Sequence, residues 1–310
     1  MIKGKILIAT SSFGEFSSLP IDHIVKSGYE VTFNPKKQKL TNIELDELLQ
    51  GVDGVIAGTE KYSKDILIKH KGLKVISRLG VGLDNIDLSV TDKINTKILT
   101  TSTTPAKGVS ELVLGLIIDL SRKITLQNNA LKSGIWKKEM GQLLNGKTLG
   151  IIGMGTIGKT LVDLVKGFNF NILAFDKIKN LKFSKENTVE YCTLEKLIKS
   201  SDIISIHLNL SKNTENLVNE KLIKKMKKNL ILINTSRGEI INEKALYNAL
   251  KSGLIHAAGL DVFNSEPYNG ELVKLDNVIL TPHIGSYAKE LRVKMEIESA
   301  NNLIKGLTND

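Results

Sequence analysis

The sequence predicts an α/β fold with two doubly wound parallel sheets, each covered by helices on both faces. Short β-branched runs alternate with helical stretches along most of the chain, which is the pattern of β-α-β units. Runs such as residues 230–233 are apolar at every position, as strands buried on both faces are. The 310 residues suffice for two domains at about 150 residues each.

The predicted strands fall into two groups, one within residues 1–100 and one from residue 147 to about residue 282. Strands are expected at residues 5–9, 31–33, 54–57, 74–77, 148–152, 172–175, 203–206, 230–234, 257–262 and 278–281. Helices are expected at residues 44–49, 64–71, 156–167, 194–200 and 243–252. A helix over residues 109–124 is apolar on most sides, so it either crosses between domains or forms a subunit interface. An amphipathic helix over residues 288–303 follows the second sheet and can return to the first domain.

Charge and composition exclude several classes of protein. The formal net charge is +10, yet only four of the 43 basic residues are arginine, which readers of bases and phosphates favour. The lysines are scattered, which indicates a solvated surface and no nucleic-acid partner. No apolar run reaches the ~20 residues of a membrane-spanning helix, and the first residues lack a signal-peptide pattern, so we expect no membrane partner. With Cys192 as the one cysteine, we expect no disulfide, no metal site and a cytoplasmic protein.

A glycine-rich turn follows one predicted strand of the second group. Gly153, Gly155 and Gly158 have the G-x-G-x-x-G spacing, which permits a tight turn, close approach of a pyrophosphate and close packing of the next helix. The N-terminus of that helix supplies partial positive charge. Asp176 ends the next strand, where a carboxylate accepts hydrogen bonds from ribose hydroxyls and repels a 2′-phosphate. This favours NAD over NADP, although Lys177 weakens the preference; the alternative is a glycine turn with a surface aspartate.

Three further polar groups follow predicted strands. Arg237 lies where the ends of parallel strands face a ligand, so it can bind an anion; a surface salt bridge is the alternative. Glu266 and His283 follow the next two strands, and Pro282 and Gly285 fix the backbone around the histidine. Histidine suits proton transfer near neutral pH, a carboxylate stabilises its imidazolium, and a guanidinium binds and polarises an acid substrate. These residues indicate oxidation of a hydroxyl beside a carboxylate.

Five motifs occur in a fixed order. They are Ser-Arg-Leu-Gly-Val-Gly-Leu-Asp-Asn-Ile-Asp at residues 77–87, the glycine turn with Asp176, Asn-Thr-Ser-Arg-Gly at residues 234–238, Gly-Leu-Asp-Val-Phe at residues 259–263 with Glu266-Pro267, and Thr-Pro-His-Ile-Gly at residues 281–285. With these motifs the whole chain resembles the D-isomer-specific 2-hydroxyacid dehydrogenase family, and its short D-3-phosphoglycerate dehydrogenases most of all.

The resemblance implies a Rossmann NAD domain over residues 101–285, inserted into a flavodoxin-like substrate domain formed by residues 1–100 and 286–310. It also implies a homodimer formed through a crossing helix at residues 105–124. The implied catalytic residues, with His283 as proton donor or acceptor, are Arg237, Glu266 and His283.

The resemblance also assigns residues to the cofactor. Asp261 matches the residue that holds the nicotinamide carboxamide. His207 lies where relatives approach the nicotinamide ribose, and Thr214 lies where they approach the pyrophosphate. The full expected set is Gly153, Gly155, Thr156, Ile157, Gly158, Asp176, His207, Thr214, Thr235, Ser236, Arg237, Asp261, His283 and Gly285.

The expected substrate contacts are Arg78, Val81, Gly82, Arg237 and His283. Val81 and Gly82 belong to a loop whose backbone amides are expected to bind the substrate carboxylate. Arg78 matches an arginine of relatives that act on 3-phosphoglycerate, so we expect D-3-phosphoglycerate and 3-phosphohydroxypyruvate as the substrate pair. The alternative interpretation pairs Arg78 with a protein carboxylate.

Two other functions stay open at this point. One is a reductase of hydroxypyruvate, glyoxylate or a D-lactate-type acid, and the other is a non-catalytic NAD-sensing protein of the same fold. Leu79, Ser102 and Asn209 differ from the residues usual in the family, which leaves the identity of the substrate open.

Overall fold

The computed structural model describes residues 2–102 and 105–308, which form two compact units. The first unit contains the described residues up to Pro105 and from Tyr287 onward, and the second is Ala106–Ser286. The strands are β1 (Gly4–Ile8), β2 (Tyr29–Phe33), β3 (Gly54–Ala57), β4 (Val75–Arg78), β5 (Lys97–Thr100), β6 (Thr148–Ile152), β7 (Asn171–Phe175), β8 (Val189–Tyr191), β9 (Ile203–Ile206), β10 (Ile231–Asn234), β11 (Ala257–Leu260) and β12 (Val278–Leu280).

Twelve α-helices lie in these ranges of described residues, and none of them is both long and apolar enough to span a membrane. The helices are α1 (Leu19–Lys26), α2 (Asn42–Leu48), α3 (Lys64–Lys69), α4 (Leu88–Thr91), α5 (Ala106–Arg122), α6 (Ile124–Lys132), α7 (Thr156–Leu164), α8 (Leu181–Glu186), α9 (Leu194–Ser200), α10 (Glu220–Ile223), α11 (Glu243–Lys251) and α12 (Lys289–Thr308).

The first unit contains a five-stranded parallel sheet with the strand order β2-β1-β3-β4-β5. This is the flavodoxin-like order, so the predicted fold class of this unit is confirmed. Buried side chains of α2, α3 and α4 form one hydrophobic cluster with the sheet, and those of α1 and α12 form another. Both faces of the sheet are therefore covered, which explains why β3 is buried along its whole length.

Helix α12 completes the first unit from the far end of the chain. Its residues Met295 and Leu303 are buried against side chains of β1, β3 and β4. Arg292 Nε donates to Glu296 Oε1 over 2.8 Å, and Glu296 Oε2 accepts from the Gly14 amide over 3.0 Å. Burial raises the pKa of Glu296, and the Arg292 charge opposes that rise. The segment that follows β1 is thus joined to α12 by a hydrogen bond to the carboxylate of a buried ion pair within the helix.

The second unit contains a seven-stranded parallel sheet with the order β12-β11-β10-β9-β6-β7-β8. Counted from β6, this is the Rossmann order with a seventh strand added, which confirms the predicted class. Helices α5 and α7 pack on one face, and α9, α10 and α11 pack on the other. The strand order reverses between β6 and β9, the place where open parallel sheets bind ligands.

The helix predicted over residues 109–124 is divided in the structure. Helix α5 ends at Arg122, and Lys123 adopts a left-handed conformation (φ 55°) before α6 begins. Neither glycine nor proline stands at this break, so the apolar pattern of the sequence predicted one continuous helix. A Cβ at Gly259 would lie 3.2 Å from Leu116 Cβ, so this glycine lets α5 approach β11 closely.

Several elements were not predicted or have other bounds. Strands β5 and β8 are short and only partly buried, so their sequences lack the continuous apolar runs of the predicted strands. Helix α1 contains Pro20 in its first turn. Helix α7 ends at Leu164, before the predicted residue 167, and a short 3-10 turn follows. Helix α12 continues to Thr308, past the predicted residue 303.

Candidate functional site

The predicted site residues of the second unit follow the carboxyl ends of its strands. Gly153 follows β6, Asp176 follows β7, and His207 follows β9. Arg237 and Asp261 come after the neighbouring strands β10 and β11, and the loop with His283 follows β12. Because all these strands are parallel, the groups lie at one edge of the sheet.

Two of the three glycines of the turn after β6 meet a steric requirement within the chain, and the third leaves open space. Gly153 has φ +98°, and a Cβ there would collide with the carbonyl of His207. A Cβ at Gly158 would lie 2.5 Å from the Gly153 carbonyl oxygen, so only glycine lets α7 approach this turn. Gly155 caps α7, and no atom within 4 Å would meet a Cβ there. The space in front of the N-terminus of α7 suits a pyrophosphate, and Thr156 and Ile157 begin this helix.

Asp176 is fixed to this turn by its carboxylate. Its Oδ2 accepts from the Met154 amide over 2.7 Å, and its Oδ1 accepts from the Ile178 amide over 2.9 Å. Each oxygen has a second lone pair, which can accept from a ribose hydroxyl. The glycine turn after β6, the N-terminus of α7 and Asp176 therefore fit a dinucleotide.

Two buried polar atoms at the same edge have no hydrogen-bond partner among residues 2–102 and 105–308: His207 Nδ1 and Thr235 Oγ1. His207 Nε2 is 2.9 Å from Ser205 Oγ, and burial lowers the pKa of His207 to about 4, so its ring is neutral at pH 7. Orphaned buried groups of this kind are expected where a ligand completes the hydrogen bonding. Thr214 differs, because its hydroxyl donates to the Asn209 carbonyl over 2.8 Å and closes its own loop.

His283 and Glu266 form a close pair. His283 Nδ1 lies 3.0 Å from Glu266 Oε2 and 3.1 Å from Oε1, and Oε1 also accepts from the Phe263 amide over 3.2 Å. His283 has φ +56°, a left-handed conformation that is uncommon for residues other than glycine. The carboxylate fixes the tautomer with Nδ1 protonated, which leaves Nε2 to exchange a proton with a ligand. Both side chains are only partly buried.

Asp261 fixes the loop that carries His283. Its Oδ1 accepts from the Thr281 hydroxyl over 2.6 Å and from the Ile284 amide over 2.8 Å. Its Oδ2 accepts from the Gly285 amide over 2.8 Å. Burial raises the pKa of Asp261, and these hydrogen bonds oppose the rise. The family resemblance assigned this residue to the nicotinamide, and its bonds to the loop were missed because they join residues twenty or more positions apart.

Arg237 lies in a turn that Asn234 holds in place. Asn234 Nδ2 donates to the Arg237 carbonyl over 2.8 Å, and Asn234 Oδ1 accepts from the Ser236 amide over 3.1 Å. The side chain is partly buried, and its Nη1 donates to the Ser236 carbonyl over 2.7 Å. A Cβ at Gly238 would collide with the backbone of Phe263, so this turn lies against the segment that leads to Glu266. Asn234 was part of a quoted motif but received no role from the sequence.

Arg78, Val81 and Gly82 belong to the first unit, at the carboxyl end of β4. The Val81 side chain is exposed, whereas only 8% of Arg78 is exposed. Arg78 Nη1 donates to the Leu79 carbonyl, and its charge lowers the pKa of Glu60, which burial raises. This arrangement favours the alternative in which a protein carboxylate offsets the Arg78 charge. Glu60, with 2% exposed, was missed by the sequence analysis, since nothing in the local pattern marks a buried carboxylate.

Comparison with known proteins identifies the family. A family model described as the D-isomer specific 2-hydroxyacid dehydrogenase, NAD binding domain, matches residues 114–285. The hydroxypyruvate reductase of Thermotoga maritima is 38% identical over 298 residues, which cover 92% of this chain and 96% of that protein. The D-3-phosphoglycerate dehydrogenase of Methanocaldococcus jannaschii is 39% identical over 257 residues, 81% of this chain and 49% of that protein. A glyoxylate reductase structure from Paecilomyes thermophila has a TM-score of 0.84 at 26% identity, covering 99% of this chain and 96% of that one.

The fold and the strand-edge residues define an NAD-dependent oxidoreductase. The chain belongs to the D-isomer specific 2-hydroxyacid dehydrogenase family, as its motifs indicated.

Replacing Asp176 by alanine tests the nucleotide site. The change removes the acceptor for ribose hydroxyls and the bond to the Met154 amide, so we expect NADH to bind about tenfold more weakly, since one such loss is worth about 1.4 kcal/mol. NADPH is expected to lose less, because the repulsion of its 2′-phosphate is removed as well. Titration of NADH and NADPH fluorescence measures both affinities. Asp163→Ala, on an exposed face of α7, is the control that should change neither.

Proposed function

We propose that this protein reduces a small unphosphorylated 2-oxo acid, hydroxypyruvate or glyoxylate, to the D-2-hydroxy acid with NADH, and catalyses the reverse oxidation. The observation that carries this proposal is the His283–Glu266 pair at the edge of the Rossmann sheet that also bears Arg237. NADH, when bound, supplies the hydride. All other chemistry is proposed to come from residues of this chain.

The proton for the new hydroxyl is proposed to come from His283. In reduction, Nε2 of the imidazolium gives its proton to the carbonyl oxygen of the substrate, and in oxidation the neutral ring takes it back. Glu266 stabilises the imidazolium through Nδ1, at 3.0 Å. Arg237 is proposed to bind the substrate carboxylate and to stabilise the negative charge that develops on the carbonyl oxygen. Asp261 keeps His283 in place through the backbone of its loop.

The choice of an unphosphorylated substrate rests on Arg78. The family resemblance favoured 3-phosphohydroxypyruvate, because relatives that act on 3-phosphoglycerate carry an arginine at the position of Arg78. In the structure the guanidinium is buried and donates to the Leu79 carbonyl; burial raises the pKa of the nearby Glu60, and the Arg78 charge opposes that rise. The alignment with the hydroxypyruvate reductase also covers 96% of that protein, against 49% of the phosphoglycerate dehydrogenase. Phosphohydroxypyruvate remains the second candidate, because an arginine does stand at this position.

A comparison of three acids tests the proposed substrate class. We expect kcat/KM with NADH to be at least about tenfold higher for hydroxypyruvate or glyoxylate than for 3-phosphohydroxypyruvate, because the guanidinium of Arg78 at the end of β4 is buried and binds the Leu79 carbonyl. The decrease in NADH absorbance measures the rates. His283→Ala is the blank, with kcat lower by about 10²–10⁴-fold and NADH affinity nearly intact. A preference for the phosphorylated acid would instead support the second candidate.

Replacing Glu266 by glutamine tests the proton donor. Glutamine keeps the shape of Glu266 and lacks its negative charge, so it stabilises the imidazolium of His283 less during proton transfer. We expect kcat for reduction to fall by about tenfold, with NADH affinity nearly intact. Steady-state rates with the preferred acid and titration of NADH fluorescence measure the two quantities. An unchanged kcat in Glu266→Gln would contradict the pairing.

We also propose that the protein is a homodimer formed through α5, α6 and the segment after α6. That segment carries apolar side chains at the surface of the single chain: 82% of Trp136, 88% of Met140 and 76% of Leu143 are exposed. On α6, Ile124 and Leu131 are about half exposed. A contiguous stretch of this kind supports contact with a second copy of the chain.

Replacing Trp136 by aspartate tests this dimer. A charge among buried apolar contacts carries an uncompensated desolvation cost, so we expect the variant to sediment as a monomer at micromolar concentration where the wild type is dimeric. Sedimentation velocity measures the two species. Ile43→Asp, at an exposed position of α2, is the matched control and should remain dimeric. A monomeric wild type would refute the proposal.

A further inference from the structure

We propose that Glu60 and Arg78 form a buried clamp that fixes the backbone of residues 79–82, and that Arg78 acts on the substrate only through this backbone. The inference rests on the proposed function and on the expectation, taken from the family resemblance, that the amides of Val81 and Gly82 also bind the substrate carboxylate. Arg78 and Glu60 are then positioning residues, and the loop binds the carboxylate that all 2-oxo acids share.

The guanidinium of Arg78 is folded beneath the loop. Arg78 is the last residue of β4, and its Nη1 donates to the carbonyl of the next residue, Leu79. Gly80 has φ +138°, and a Cβ there would lie 2.9 Å from Nη1, so the backbone of Gly80 lies directly on the guanidinium. Since only 8% of Arg78 is exposed, its charge acts on groups inside the first unit rather than on a group in solvent.

Glu60 provides the other half of the clamp from the turn after β3. Its Oε2 accepts from the Gly58 amide over 2.7 Å. Asn85 Nδ2 donates to the carbonyls of Gly58 over 3.0 Å and of Glu60 over 2.6 Å, so the turn is joined to the segment that follows the loop. Arg78 pairs with Ala57 across β3 and β4, so the turn that carries Glu60 begins beside it. Burial raises the pKa of Glu60, and the Arg78 charge opposes that rise.

The clamp leaves a defined set of donors at the surface. The Leu79 amide donates to Ala57 over 2.9 Å, and the Gly80 amide donates to the Arg78 carbonyl over 2.9 Å. The amides of Val81 and Gly82 have no acceptor within the described parts of the chain. Two successive amides without an acceptor can donate to one anion, and the buried cation of Arg78 adds positive potential beside them.

The test compares Glu60→Gln and Arg78→Lys with the wild type on hydroxypyruvate, glyoxylate and 3-phosphohydroxypyruvate. Glutamine keeps the shape of Glu60 and removes its charge; lysine keeps the charge of Arg78 and lacks the fork that bonds Leu79. We expect KM to rise by about tenfold or more for all three acids by a common factor, with kcat changed far less and NADH affinity unchanged, because a displaced loop weakens carboxylate binding. A loss confined to the phosphorylated acid, or an unchanged KM in Glu60→Gln, overturns the proposal.

Asp53→Asn is the matched control. Asp53 is a partly buried carboxylate of the same unit that accepts from the Lys5 amide over 2.9 Å and pairs with Lys74 over 2.9 Å, just before β3 and thus at the opposite edge of the sheet. It should lower the temperature of unfolding without raising KM. An equal rise in KM for Asp53→Asn would mean that general loosening of the unit is the cause, and would overturn the clamp.

Amide hydrogen exchange separates this proposal from the proposed function. In Glu60→Gln, residues 79–86 should exchange faster than in the wild type, whereas in Asp53→Asn they should not. This measurement needs no substrate. If the wild type reduces none of the three acids, the proposed function fails while exchange still tests the clamp; if exchange at residues 79–86 is unchanged in Glu60→Gln, the clamp fails although turnover persists.

Discussion

Parallel pairing of strands is the constraint on which the site depends. In the second unit, backbone hydrogen bonds join β12, β11, β10, β9, β6 and β7 in the same direction, so residues far apart in sequence end their strands at one edge. The glycine turn and the loop with His283 are separated by more than a hundred residues, yet they share this edge. The first unit repeats the arrangement, with Glu60 and Arg78 after the adjacent strands β3 and β4.

Carboxylates that accept backbone amides recur at these edges. Asp261 holds the loop of His283, Asp176 holds the glycine turn, and Glu60 holds the turn after β3. Burying a carboxylate is costly unless it is hydrogen-bonded, and each of these accepts from at least one amide. These hydrogen bonds fix the conformation of loops that have no regular secondary structure. Reactive groups on such loops must be positioned accurately, because a small displacement lowers the rate of catalysis.

The sequence predicted the features that local patterns encode. Apolar runs predicted both sheets, and the spacing of Gly153, Gly155 and Gly158 predicted the glycine turn, because each of these patterns lies within a few neighbouring residues. The roles of Glu60 and Asn234, and the bonds of Asp261 to its loop, were missed because they arise from tertiary contacts. The burial of Arg78 also arises from tertiary contacts, and its assignment to a phosphate stays a prediction. An arginine side chain can bind a substrate phosphate or stabilise a loop, and its tertiary surroundings determine which of the two it does.

Helix α12 has a consequence for biosynthesis. It supplies Met295, Ala300 and Leu303 to a hydrophobic cluster otherwise made by residues before 100, and it is the last helix of the described chain. A ribosome therefore releases every strand of the first sheet long before the second of the two helices that cover one of its faces. The second unit, which is continuous in sequence, is complete earlier. A nascent chain of this protein would expose part of an apolar sheet face while its nucleotide-binding unit is already folded, and that interval is when it most needs a chaperone.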